Sequence, residues 1–261
     1  MAIAITLPLG AGLVALKPAT GGAASTAIPE GVELAPLPKP VQRTVRTKSG
    51  AAIEARLWPG SEWTPGPSWW PDSEWPPAAD EMVLIVCDSG DGVTVDPVVR
   101  MLRTMGATAV TFELPGASGK ASVARTDAVH AMVTWARRQG ATGGQTRPIH
   151  LFGVGKGADL ALKVGLDRSD DVRTILLDSP GDLELLRRAN EKTASKSREG
   201  AGVAGIRVIR AGSKAIGKAT GGHVQLAPDS MTYPKQADLA TLAQDARYQR
   251  SVAQALVPPK S

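Results

Sequence analysis

The sequence predicts an α/β protein: a mostly parallel sheet with helices on both faces, preceded by an extended N-terminal arm. Three observations carry this expectation. Short, continuous apolar runs recur along the chain, as strands buried on both faces require. Helical stretches with short connections separate them, which is the β-α-β alternation of a parallel sheet. A hairpin pattern, not another helix, stands ahead of the first of these runs.

At 261 residues the chain suits one large domain with an appendage better than two full domains. Hydrophobic residues make up 43% and aromatics only 4%, so the core must be built mainly from Val, Leu, Ile and Ala. Residues 1–40 are rich in Ala, Gly and Pro and follow no period of 3.6 or 2. The stretch ELAPLPKP reads as extended, because each Pro biases its predecessor away from helix. Such an arm cannot fold on its own apolar area, so a partner surface is expected to hold it. It has the small residues of a secretory leader, but its first cation, Lys17, follows the apolar stretch instead of preceding it. It is also too broken by Gly and Pro to span a membrane.

From residue 41 to 261 the pattern is that of a folded domain. VQRTVRTKSGAAIEARLWPG reads as two strands joined by a tight turn at Lys48-Ser49-Gly50. An inserted loop, 60–79, follows and is too rich in Pro for strand or helix; it carries Trp63, Trp69, Trp70 and Trp75. MVLIVCD (82–88) is a buried strand and residues 94–105 a helix, with Pro97 tolerated in its first turn. ATAVTFE (107–113) is the next strand, ended by Leu114-Pro115-Gly116. Residues 121–139 form an amphipathic helix with Val129, Met132, Val133 and Ala136 on one stripe. IHLFG (149–153) is a strand that runs into a helix over 156–166. VRTILLD (172–178) and IRVIRAG (206–212) are further strands, and HVQLA (223–227) is the candidate for a last one. Residues 235–256 read as one final helix before Pro258-Pro259.

The informative segment is Ile149 to Ala158, where strand turns into helix through Gly153-Val-Gly155-Lys-Gly157. Outer glycines suit a turn so sharp that helix and strand backbones nearly touch. The segment resembles the G-x-S-x-G elbow of the α/β-hydrolase superfamily, with Gly155 where that family carries its nucleophile. Other segments match in order: Val45 to Leu57 looks like the opening hairpin, and Val83 to Gly90 like the third strand and oxyanion loop. Phe112 to Gly116 looks like the loop after the fourth strand and Leu176 to Pro180 like the end of the sixth. The resemblance covers about Val41 to Ala255 and implies an α/β-hydrolase-like fold.

Acyl transfer needs a nucleophile, a base and an acid that orients the base. Gly155 has no side chain, and the segment 227–233 after the last strand holds no His. The resemblance therefore implies a vestigial elbow (Gly153, Gly155, Gly157), no residue in a catalytic role, and no enzyme activity. Asp178 is the one acid that could serve, as in some lipases of the fold. His130 lies in mid-helix, His150 near the start of its strand, and His223 ahead of its strand. The Gly-rich turn is neither the G-x-G-x-x-G dinucleotide fingerprint nor a P-loop. With one cysteine, Cys87, and three scattered histidines, no disulfide, metal site or cofactor is expected. Cys87 itself reads as core at a strand end.

Asp88, Asp91, Glu113 and Asp178 fall near the C-terminal ends of adjacent strands, where open α/β sheets bind ligands, so they form a candidate cleft for a cation or sugar hydroxyls. Trp63, Trp69, Trp70 and Trp75 form a candidate interaction surface, stiffened by Pro. Nine Lys and Arg lie between residues 185 and 218 against Glu191 and Glu199, and read as a solvated basic face. These features together favour a non-catalytic structural or binding protein in a larger assembly, by analogy a phage virion component, in the tail or capsid. Its expected partners are other subunits, met through the arm and the Trp/Pro loop, with a cell-surface glycan as a further ligand. No specific nucleic acid and no membrane span are expected. Outside a virion, a secreted or a cytoplasmic location stays open. The alternatives are a cell-envelope carbohydrate-binding module, or an esterase-like hydrolase with a displaced site that uses Ser89, Ser179 or Ser213 with Asp178 and His223.

Overall fold

A computed structural model describes residues 36–60, 81–87, 95–115, 121–139, 148–198, 205–210, 224–226 and 239–256. The chain divides after Ala35, and the unit described is Pro36–Ser261. Most of the arm and the Trp/Pro loop lie outside the described residues.

Strands β1 (Val41–Arg46) and β2 (Ala52–Trp58) pair antiparallel, with Val45 opposite Ile53. In β2 the side chains alternate between exposed and buried, as a strand with one wet face does. The next strands are different. β3 (Met82–Cys87), β4 (Thr108–Phe112), β5 (Ile149–Val154) and β6 (Thr174–Asp178) are apolar runs buried almost throughout. β7 (Gly205–Arg210) and β8 (Val224–Leu226) complete a sheet of eight strands in the order β1-β2-β4-β3-β5-β6-β7-β8. From β4 to β8 every pairing is parallel, so helices must cover both faces.

On one face lie α2 (Ala121–Gln139), α3 (Lys156–Asp167) and α4 (Leu183–Arg198). Val129, Met132, Val133, Leu162 and Leu186 pack there against Leu84, Leu151 and Ile175. On the other face lie α1 (Asp96–Thr104), α5 (Leu239–Leu242) and α6 (Ala246–Leu256), whose Val99, Leu102, Leu242, Tyr248 and Val252 meet Val83, Ile85 and Phe152.

One expectation changes in detail. The single C-terminal helix is broken, because the Asp245 carboxylate accepts from the backbone N–H of Arg247 (2.7 Å) and Tyr248 (3.2 Å) and so starts a new helix. Partial burial pushes the Asp245 pKa up, but the hydrogen bonds from Arg247 and Tyr248 outweigh it and hold the group below its ordinary range. The first part of the basic stretch is a helix, α4, started in the same way by Asp182, whose Oδ1 accepts from Leu185 N–H at 2.8 Å. No described helix is long and apolar enough to cross a membrane.

Candidate functional site

The site is built where β5 turns into α3. Gly155 adopts φ 56° and ψ −125°, a backbone conformation that L side chains rarely enter. Its two flanking glycines are required by space. A Cβ on Gly153 would stand 2.4 Å from Ala158 Cα, and one on Gly157 would stand 2.1 Å from Val86 O. Each of the three glycines therefore has its own cause, and together they bring the first turn of α3 against the ends of β3 and β5.

The elbow is tied sideways to β6. Gly155 N–H donates to Asp178 O at 2.9 Å. The Asp178 side chain is fully buried at the end of β6. Its Oδ1 accepts from the Ser179 hydroxyl at 2.9 Å, and its Oδ2 accepts from Tyr248 Oη at 2.6 Å. Ser179 has φ 56°, the one positive φ outside glycine among the described residues. The chain beyond it is pinned to α3, because Asp159 Oδ1 accepts from the backbone N–H of both Gly181 and Asp182, each at 3.0 Å. A half-buried hydroxyl is thus held on a buried carboxylate, next to the N-terminal turn of a helix.

Of the four carboxylates expected to share one cleft, the described residues include Glu113 and Asp178, and these two stand apart. Glu113, just past β4, is largely exposed and pairs with Arg56 at 3.5 Å. Asp178 ends β6, and the order β4-β3-β5-β6 separates the two by three strand spacings, about 14 Å. Chain-order reasoning puts residues at the same end of a sheet but does not supply the lateral distance between them. Asp88 and Asp91 lie outside the described residues, as do Trp63, Trp69, Trp70, Trp75, Ser89, Ser213 and His223. Cys87 ends β3, half-buried against the second core.

His150 is buried near the start of β5, at the end of the sheet opposite the elbow, with Nε2 2.7 Å from Glu81 Oε2, and Arg173 holds Glu81 from its other oxygen at 3.1 Å. His130 lies on α2. Among the described residues, no group of three or more His, Cys, Asp or Glu side chains is placed to hold a metal ion. In α4, Arg187 pairs with Glu184 and Glu191, Arg188 with Glu184, and Lys192 with Asp167, so the first three cations of the basic run are paired locally. The two arginines pull the Glu184 carboxyl down to about 2.

Tyr248 was not legible as a site residue. Its signal is chemical: one of only two tyrosines in the chain, it falls on the apolar stripe of the last helix, where a buried hydroxyl must find a partner.

With the sheet order, the crossovers and the glycine elbow in place, the class is settled: this is an α/β-hydrolase-fold protein. No family model and no curated protein matches the sequence. Solved structures do. An esterase from Pyrococcus furiosus is similar at TM-score 0.54 and 13% identity, over 84% of this chain and 89% of that one. A dienelactone hydrolase from Anabaena variabilis is similar at 0.53 and 13%, over 83% and 97%. The esterase domain of a Rhodothermus marinus protein is similar at 0.50 and 14%, over 83% and 95%.

These likenesses correct the expectation of a non-catalytic structural protein or virion component. Two of these structures are described as esterases and one as a dienelactone hydrolase, and none of the three as a structural or virion component. The expectation of an assembly component rests on Gly155 at the elbow and the lack of a His in 227–233, together with the arm and the Trp/Pro loop, and an empty elbow removes a nucleophile at that one position but not elsewhere in the domain.

Proposed function

We propose that the chain is an ester hydrolase whose reacting group is displaced by one strand, from the elbow to Ser179. One observation carries this reading: the Ser179 hydroxyl, on a strained backbone, rests on the buried carboxylate of Asp178 beside the elbow. A non-glycine residue at positive φ costs about 1–3 kcal/mol and persists where the surroundings fix it, which is commonly at a reacting group.

In this reaction Ser179 Oγ attacks the ester carbonyl carbon while its proton passes to Asp178 Oδ1. Tyr248, donating to Oδ2, holds the carboxylate in the plane that faces Ser179. The tetrahedral oxyanion forms next to α3, whose first-turn N–H groups and dipole favour negative charge. Gly155, the residue that caps α3, has no side chain to compete for those donors. As the C–O bond breaks, the alcohol leaves with the proton held by Asp178. Water then attacks the acyl-serine, gives its proton to Asp178, and restores the Ser179 hydroxyl as the acid departs.

Turnover of short-chain nitrophenyl esters, together with labelling by a fluorophosphonate probe, tests the reading. Ester cleavage that Ser179→Ala abolishes, with the label on Ser179, is the expected result. A label on Ser89 or Ser213 instead, or no label and no turnover, would overturn it.

A further inference from the structure

Between the β1–β2 hairpin and the outer surface of α2 lies a groove of about 740 Å³. Four cations from three separate segments line it: Arg46 and Lys48 from the hairpin, Arg138 from the last turn of α2, and Arg168 from the turn after α3. Asp127 is the one carboxylate among the described lining residues. Lys48 and Arg138 have no ion-pair partner among the described residues. Arg168 is paired with Asp171, through Nε at 2.7 Å and a terminal nitrogen at 2.6 Å, so its guanidinium is held in place and part of its charge is offset, leaving Arg46, Lys48 and Arg138 to carry the groove's excess positive charge. Like charges converging on one concave wall repel, and low-dielectric walls concentrate their field, so the groove attracts an anion. Its volume is that of a small-molecule site and not of a long strand's track. Half-buried Trp135 adds a flat apolar wall to the same groove.

We propose that this groove binds a small organic phosphate of the nucleotide class, its phosphates on Arg46, Lys48, Arg138 and Arg168 and its ring against Trp135. Guanidinium and ammonium groups together suit phosphate, the first by paired donors and the second as a point charge. His130 also lines the groove and reports on its occupancy. Burial, then the charges of Arg168 and Lys48, lower its pKa, against the opposing pull of Asp167 and Asp127. A bound anion adds a negative charge on the same side and moves that pKa back up.

The proposal does not depend on Ser179, and its test reads binding alone. The full chain is titrated with ADP, with inorganic pyrophosphate and with adenosine by calorimetry, while the His130 ring resonance is followed against pH and assigned with His130→Gln. ADP is expected to bind with Kd below about 1 mM, pyrophosphate more weakly and adenosine not at all. Lys48→Ala and Arg138→Ala are each expected to weaken ADP about tenfold, and ADP to raise the His130 pKa. Absence of ADP binding at millimolar concentration would overturn the proposal. So would binding unchanged in both variants, or single-stranded RNA binding where ADP does not.

Discussion

The hydroxyl of Tyr248 in the last helix donates a 2.6 Å hydrogen bond to Oδ2 of Asp178, a fully buried carboxylate at the end of β6. This bond joins the C-terminal helix to the candidate reacting group and gives Asp178 a fixed orientation. Tyr248→Phe keeps the ring and removes the bond. Hydrogen bonds to charged groups contribute about 1.5–3 kcal/mol, so denaturant unfolding should show a loss of that size. Ester turnover should fall with it, and the adduct at Ser179 should form more slowly.

Ser179→Gly separates stability from activity. Glycine enters positive φ without steric cost, so the variant should be more stable than the parent by about 1 kcal/mol. Turnover should vanish. A melting temperature that drops instead would mean that the hydrogen bond to Asp178 outweighs the backbone strain.

The elbow glycines should fail in different ways. Gly157→Ala drives a Cβ into Val86 O, a backbone atom that cannot swing aside, and should cost about 3 kcal/mol. Gly155→Ser puts a side chain at φ 56° and should cost about 1–3 kcal/mol. It should also leave turnover no higher than the parent's, since among the described residues no histidine stands at the C-terminal ends of the strands, beside the elbow. Urea midpoints and nitrophenyl ester assays check both.

His130 should tie stability to pH. Burial, then nearby cations, lower its folded pKa below the ordinary 6.5, so between the two values the unfolded chain binds more protons than the folded one. The contribution is fully present above about 6.5 and is lost as pH falls through the folded pKa. The melting temperature of the parent should therefore decline more steeply than that of His130→Gln between about pH 7 and 5.

Much of the sheet was legible because its strands are buried on both faces. A run such as Met82–Val86 has no other reading in a chain with this alternation. Gly153 and Gly157 were legible as parts of a sharp strand-to-helix turn because close backbone approach leaves no room for a Cβ, and Gly155 because the turn between them takes a positive φ. The hydrogen-bonded trio at Asp178 was not. The strand end was visible, but Ser179's strain is a property of φ, and Tyr248 comes from a helix seventy residues away. The cationic groove escaped for the same reason. Arg46, Lys48, Arg138 and Arg168 are scattered in sequence, whereas the basic run visible at 185–218 has its first three cations, Arg187, Arg188 and Lys192, paired with carboxylates of α4 and α3.

The strand order also constrains how the chain is made. β2 takes its place beside β4, and β3 sits on the far side of β4. During synthesis the opening hairpin therefore leaves the ribosome with no sheet to join until Phe112 has emerged, an interval of roughly 3–11 s at ordinary elongation rates. For that time a two-stranded ribbon, marginal alone in water, must wait with one edge open. The arginines along that ribbon, Arg43, Arg46 and Arg56, are then as much protection for the nascent chain as surface charge for the finished one.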